Sequence, residues 1–305
     1  MTQPPDDFDP PIGRAVTLGN GLRRIVAPNP SPMTYRGTNT YLLGERELAV
    51  IDPGPTSDAH LEAILQAVEP GQKISHIFVT HTHLDHSPLA RPLANATGAP
   101  ILAFGGPEAG RSPVMKELAD SGLAGGGEGI DLAFKPDREI SDEECIEGDD
   151  WTLEVIHTPG HLGNHIALAS GDICFTADHV MGWATSLVSP PDGDLTDFMA
   201  SCRRLQTRTW SVFHPGHGAP ISEPAERLDW LINHRLSRES EILSYLADGP
   251  ATIDRLTEQI YSDVPKALLP AAERNVFAHL IDLTRRSIVR CSPSLSTSAT
   301  FERTD

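Results

Sequence analysis

Thr80-His81-Thr82-His83-Leu84-Asp85-His86-Ser87 follows directly on the apolar run Ile74-Ser-His-Ile-Phe-Val79. The run has the length and β-branched content of a buried strand, so the histidines sit on the loop at its C-terminal end. Open α/β sheets build their ligand sites at such ends. Three imidazoles and a carboxylate within six residues form a donor set suited to zinc, the imidazoles through softness and the carboxylate through charge. Three more strand ends carry donors of the same kind. Thr158-Pro-Gly-His161 closes the run Trp151–Ile156, and its Pro-Gly turn can bring His161 round to the first loop. Cys174-Phe-Thr-Ala-Asp178 ends in a carboxylate, and His214-Pro-Gly-His217-Gly218 ends the next run. Metal-type donors delivered by strand ends in chain order are far more specific than any one of these pieces.

The composition bounds the class. With 305 residues, 39% hydrophobic and 22% charged, the chain is long enough for a substantial core and too apolar for disorder. No apolar run approaches the length of a membrane span. The acidic, Pro-rich start lacks the features of a secretory or transit segment, so a cytoplasmic protein is expected, with residues 1–13 as a flexible arm. Cys145, Cys174, Cys202 and Cys291 are scattered and form no CxxC pair, which excludes a zinc knuckle or a disulfide framework. The formal net charge is −18, and the chain is net acidic on both sides of Ser222. That opposes a grip on nucleic acid through phosphates, and stable binding to duplex DNA is not expected.

Organisation changes near Ser222. Before it, strands (Thr38–Leu43, Leu48–Ile51, Pro100–Phe104, Ile166–Ala169, Ile173–Ala177, Trp210–Phe213) alternate with helical stretches at Ser57–Ala67, Pro88–Ala96 and Leu195–Leu205. Ser57 or Asp58 is the expected cap of the first helix. Residues 106–150 are the least regular, with a Gly-rich loop from Ser121 followed by an acidic run. After Ser222, helical spacing covers Glu223–Leu246, a stretch capped by Thr252, and Ala271–Ile288. A helical, winged-helix-like appendage over 223–291 is expected, with 292–305 as a disordered tail.

The ordered set of motifs resembles the metallo-β-lactamase superfamily over about residues 14–222. The resemblance implies a four-layer αββα sandwich with two metals at its rim. Carried over by motif, His81, His83 and His161 hold the first metal, Asp85, His86 and His217 hold the second, and Asp178 bridges them. Pro32-Met-Thr-Tyr-Arg-Gly-Thr-Asn-Thr-Tyr41, Pro215-Gly-His-Gly218 and the helical tail further resemble the β-lactamase-like protein 2 group, which includes an RNA-cleaving enzyme. Two Zn²⁺ are the expected cofactors, with manganese and iron left open. A pair of dications about 3.5–4 Å apart shares a water and lowers its pKa towards 7, generating a bridging hydroxide for hydrolysis. Asp85 is the candidate catalytic group, taking up the water's proton. Asp52 is a candidate acceptor for a ligand histidine, and His165 and Asn39 are candidates to orient ligands or touch substrate. Strand alternation turns His179 and His214 to the opposite face.

The substrate is less determined than the metal site. Single-stranded RNA follows from the closer resemblance and is opposed by the net charge. A thioester or small ester, as for glyoxalase II, suits an acidic enzyme, though the basic C-terminus usual for such enzymes is missing. Lactam hydrolysis would be incidental. His83 stands where flavodiiron proteins carry Glu, which opposes their redox chemistry; persulfide dioxygenases share the first motif and are disfavoured only by the closer resemblance. A metal-dependent sensor is the non-enzymatic alternative, but Arg285, Arg286 and Arg290 are too few for a DNA-reading helix. A wall of the site or a homodimer face is the expected role of the appendage.

Overall fold

The computed structural model describes residues 8–19, 21–125, 129–262 and 268–304. Alternation decides the architecture. In β3 (Asn39–Leu43), Tyr41 and Leu43 face one core while Leu42 faces another. In β4 (Glu47–Ile51), Ala49 and Ile51 part in the same way from Leu48 and Val50. Each strand is therefore apolar on both sides, as a sheet covered on both faces demands. Among the described residues the first sheet runs β1 (Val16–Gly19), β2 (Leu22–Val26), β3, β4, β5 (Lys73–Phe78), β6 (Ile101–Ala103) and β7 (Arg138–Glu139), with spatial order equal to chain order. Its first four strands are antiparallel and the rest parallel. The second sheet holds β8 (Cys145–Glu147), β9 (Thr152–His157), β10 (Ile166–Ser170), β11 (Ile173–Ala177) and β12 (Val212–Pro215), again in chain order.

The inner faces of both sheets meet in one core of Tyr41, Ile51, Phe78, Val155, Leu168 and Phe175. The outer face of the first sheet is covered by α1 (Asp58–Gln66) and α2 (Ala90–Thr97), through Ile64 and Leu93. The outer face of the second is covered by α4 (Leu195–Gln206) and the start of α5 (Pro224–Leu246), through Phe198, Cys202, Leu228 and Leu231. This is the expected αββα stack. Ser57 caps α1 by accepting from His60 N.

Three sequence expectations need correction. Residues 8–13 are not a loose arm: Arg24 lies 4.7 Å above the Phe8 ring, and Gly13 N donates to Val26 O at 2.9 Å. Residues 1–7 lie outside the described set. The irregular stretch contains a helix, α3 (Pro113–Asp120), whose Met115 and Leu118 bury in the C-terminal core; its eight residues are too few for a periodic signal to stand out. Residues 126–128 of the Gly-rich loop are not described.

The third concerns residues 292–304, which are ordered. The C-terminal region adds to α5 the helices α6 (Ile253–Ile260) and α7 (Leu269–Arg285), but also the strands β13 (Ala251–Thr252), β14 (Val289–Ser292) and β15 (Thr300–Arg303), in the order β13-β15-β14. The serine-rich turn joins β14 to β15, and Phe301 and Ala299 are fully buried. Composition suggested disorder because the polar turn outnumbers the two apolar anchors. Phe301→Ala should cost about 3–5 kcal/mol of stability, the range for emptying a buried aromatic site, and urea unfolding of the two proteins checks it.

Candidate metal centre

The seven candidate ligands sit on loops at one end of the two sheets, after β5, between β9 and β10, after β11 and after β12. All seven are buried. His81 Nε2 lies 3.1 Å from His83 Nδ1, and His161 Nε2 lies 3.0 Å from the same atom. These separations approach the ~3.3 Å edge of a tetrahedron with zinc–nitrogen bonds of 2.0–2.1 Å. Asp178 joins this group, and Asp85, His86 and His217 form a second group able to hold an ion. His217 Nε2 is 3.1 Å from Asp85 Oδ2 and 3.3 Å from Asp178 Oδ2.

The far side of four of the five rings explains why their Nε2 atoms face inward, whereas His83 faces inward through Nδ1. His81 Nδ1–H donates to Thr80 Oγ1, which itself donates to Asp52 Oδ2. His86 Nδ1–H donates to Asp52 Oδ2 at 2.9 Å, His161 Nδ1–H to Leu187 O at 2.7 Å, and His217 Nδ1–H to Gly37 O at 3.2 Å. These partners assign the tautomers. A ring that donates from Nδ1 presents a lone pair at Nε2, as a metal ligand must. His86 Nε2, Asp85 Oδ1 and Asp178 Oδ1 are buried with no hydrogen-bond partner among the described residues. Buried polar atoms in that state are costly unless something compensates them, and a cation does so. The residues present therefore fit a metal.

Electrostatics divides the rings. Burial, reinforced by neighbouring imidazoles, holds His81 well below the ordinary histidine range and pushes His83 down to about 3. Burial also opposes charge on His86 and His217, but the carboxylates beside them outweigh it: Asp85, Asp178 and Asp52 raise His86, and Asp178 with Asp85 raises His217 to about 10. Asp52, Asp85 and Asp178 beside these two rings create a negative field that favours a positive charge, proton or cation, at their Nε2 positions.

Asp52 accepts from His86 and also from Thr80 N at 2.8 Å. It sits at φ 51, just past β4, and Ala177 at φ 42 turns the chain into Asp178. Left-handed backbone at non-glycine residues is uncommon, and here it occurs at two strand ends that supply the site. Asn39 does not reach the donors. Its amide donates to Pro215 O and Gly218 O at 2.9 and 3.0 Å, clasping the loop that carries His217. His165 packs its ring 5.1 Å from that of His81 and bonds Thr158 Oγ1 instead of a donor. His179 lies against Phe198 and His214 against Tyr41 and Phe175, both away from the cluster as alternation required. Thr80, Ser186 and the carbonyls of Gly37 and Leu187 escaped the sequence reading. The first could have been found from its place between strand and motif, whereas carbonyls leave no trace in side-chain chemistry.

A four-layer αββα scaffold with a histidine–aspartate centre at one end of its sheets is the class that fold and site define. The chain belongs to the metallo-beta-lactamase superfamily, whose family model matches residues 33–217. The model of the beta-lactamase associated winged helix domain matches residues 252–294. The chain is 32% identical over 295 residues to a beta-lactamase-like protein 2 homolog of Drosophila melanogaster, covering 92% of this chain and 94% of that protein. It is 28% identical to an atrochrysone carboxyl ACP thioesterase of Aspergillus fumigatus, covering 84% and 78%. A crystal structure of a beta-lactamase domain protein from Burkholderia ambifaria superposes with a TM-score of 0.81 at 20% identity, over 99% of this chain and 97% of that one, which establishes the shared fold. The chain is accordingly a metal-dependent hydrolase of this superfamily, with a winged-helix appendage.

A Cβ on Gly216 would fall 2.2 Å from Asp178 Oδ1 and 2.8 Å from His86 Cε1. Gly216→Ala should therefore fold yet bind metal at least tenfold more weakly, although it removes no donor. Asp52→Ala should lower affinity about 10–100-fold, the usual effect of deleting an outer-shell partner. Titration of the apo-proteins with zinc against a chromophoric chelator measures both.

Proposed function

We propose that the chain is a two-metal hydrolase holding one zinc ion on His81, His83 and His161 and a second on Asp85, His86 and His217, with Asp178 shared. Asp178 carries this reading. Its carboxylate lies 3.7 Å from His161 Nε2 on one side, and 3.4 and 3.3 Å from His86 and His217 Nε2 on the other. Such a pair of ions, when bound, acidifies a shared water and offsets charge that develops on the substrate. The protein's own part is positional. Asp85 accepts from Thr38 Oγ1 through Oδ2 at 3.1 Å, and its two carboxylate oxygens let one serve a metal while the other takes up a proton.

For the substrate we infer a thioester or small ester. The Aspergillus fumigatus relative, matched along 84% of this chain, is named a thioesterase, and a net charge of −18 opposes long phosphate polymers. Leu84 and Leu132 are 45% and 80% exposed. The segment of Leu132 runs beside the donor loop, tied to it by the bond from Leu84 N to Gly129 O. An apolar lip of this kind suits an acyl group. One feature favours a second reading, the phosphodiester of single-stranded RNA. Phe8, Tyr35 and Trp183 stack in series at 6.1 and 4.9 Å, with Arg24 and Arg36 over the first two rings, next to Gly218 and His217. Aromatic rings and guanidinium groups suit nucleobases.

Metal analysis of zinc-loaded protein should return close to two ions per chain, with Asp178→Ala disturbing both and His217→Ala chiefly the second. Zinc-loaded protein should turn over a generic thioester faster than a short single-stranded RNA or a chromogenic lactam. His83→Ala should lose about 10³-fold in rate, equivalent to several kcal/mol of transition-state stabilisation. RNA cleavage that His83→Ala abolishes, without thioester turnover, would replace the first substrate by the second. Failure on all three substrates would reject the hydrolytic reading.

A further inference from the structure

The segment from Met181 to Val188, between β11 and α4, supplies none of the candidate ligands, yet two of them lean on it. His161 Nδ1–H donates to Leu187 O at 2.7 Å, so the direction of that ring depends on where Leu187 stands. Ser186 Oγ lies 2.5 Å from Asp178 O and 2.8 Å from His179 O, tying the backbone of the shared carboxylate to the same segment.

Helix α5, beyond the end of the second sheet in sequence, holds this segment. Arg227 Nε donates to Met181 O and its Nη2 to Ala184 O, each at 2.6 Å. Two turns later Arg235 donates from Nη2 to Ser186 O, and from Nη1 to Asn275 Oδ1 at 2.9 Å. The same Asn275 oxygen accepts from Val188 N at 3.3 Å, and its amide nitrogen is fixed by Ala271 O on α7. Arg235 is 2% exposed, with its guanidinium 5.2 Å over the Phe198 ring. Among the described residues no carboxylate pairs with Arg227 or Arg235. A buried guanidinium with no counter-ion is expensive. What it does supply is a rigid fork of donors able to pin carbonyl groups at fixed spacing.

We propose that Arg235, together with Arg227 and Asn275, is a positioning residue of the metal centre: α5 and α7 grip residues 181–188, and that segment sets the ring of His161 and the backbone of Asp178. The inference rests on the metal-centre reading above. It makes the C-terminal helices part of the centre, because the strand ends alone leave the Leu187 carbonyl unplaced.

The test compares wild type with Arg235→Met, Arg235→Lys and Asn275→Ala. The control is Leu256→Ala, which empties the C-terminal core without touching residues 181–188. Zinc affinity is measured against a chelator, and the d–d absorption of cobalt(II)-loaded protein reports ligand geometry. Arg235→Met and Asn275→Ala are expected to lose about 10–100-fold in affinity and to shift the cobalt spectrum. Arg235→Lys should recover part of both, since an ammonium can reach one of the two acceptors. Leu256→Ala should melt earlier yet bind zinc and cobalt like wild type. If Arg235→Met fails to fold, Asn275→Ala, a half-buried site, decides the matter. Wild-type affinity and spectrum in Asn275→Ala, or equal losses in Leu256→Ala, would overturn the inference while leaving the metal centre intact. A wild-type protein that takes up neither metal would overturn the function proposed above, and this inference with it.

Discussion

Seven polar donors are packed together in a buried pocket, and the Nε2 atoms of His81 and His161 each approach His83 Nδ1 at 3.0–3.1 Å. Desolvated groups of this kind repel and lose hydration together, so the cluster is stable only if something else holds each one in place. The surrounding structure does so for four of the five rings. Thr80, Asp52, Leu187 and Gly37 each take one N–H and leave the opposite lone pair facing the centre. Asp52 takes one proton directly and another by way of Thr80, so a single carboxylate orients two rings.

The fold meets that demand at strand ends. A sheet fixes where a strand stops to within a fraction of an ångström, because every residue before the end is paired in the ladder. The loops that follow are held by side chains: Asn39 clasps residues 215–218, and Asp52 anchors residue 80. Positive φ at Asp52 and Ala177 shows that the backbone bends sharply to turn its last residue inward. Gly216 lets Asp178 and His86 approach a turn that any side chain would block. The outer layers contribute as well, since α5 and α7 hold residues 181–188 from the far side of the second sheet.

Much of this was legible before any coordinates. The alternation over Thr38–Leu43, the apolar run Leu48–Ile51, and the helical spacing of 57–67, 195–205 and 223–246 outline the layers, because burial leaves a strong pattern. Residues 292–304 give the opposite signal: the strands there are short and separated by a polar turn, so composition outweighs two buried anchors. Residues 8–13 do likewise, since their hold on the sheet runs through Arg24, whose role depends on a partner 16 positions away.

By itself the sequence determined the donor chemistry. Histidine and aspartate at the ends of β5, β9, β11 and β12 make a donor set suited to a metal ion, and that follows from side-chain type and order alone. Only the tertiary structure decided which nitrogen of each ring faces inward, and which groups enforce it. For His217 and His161 those partners are the main-chain carbonyls of Gly37 and Leu187, the second on a segment held by an arginine fork reaching across layers from α5. A carbonyl belongs to every residue alike, so its use as an anchor becomes visible only when folding has brought it to a particular ring.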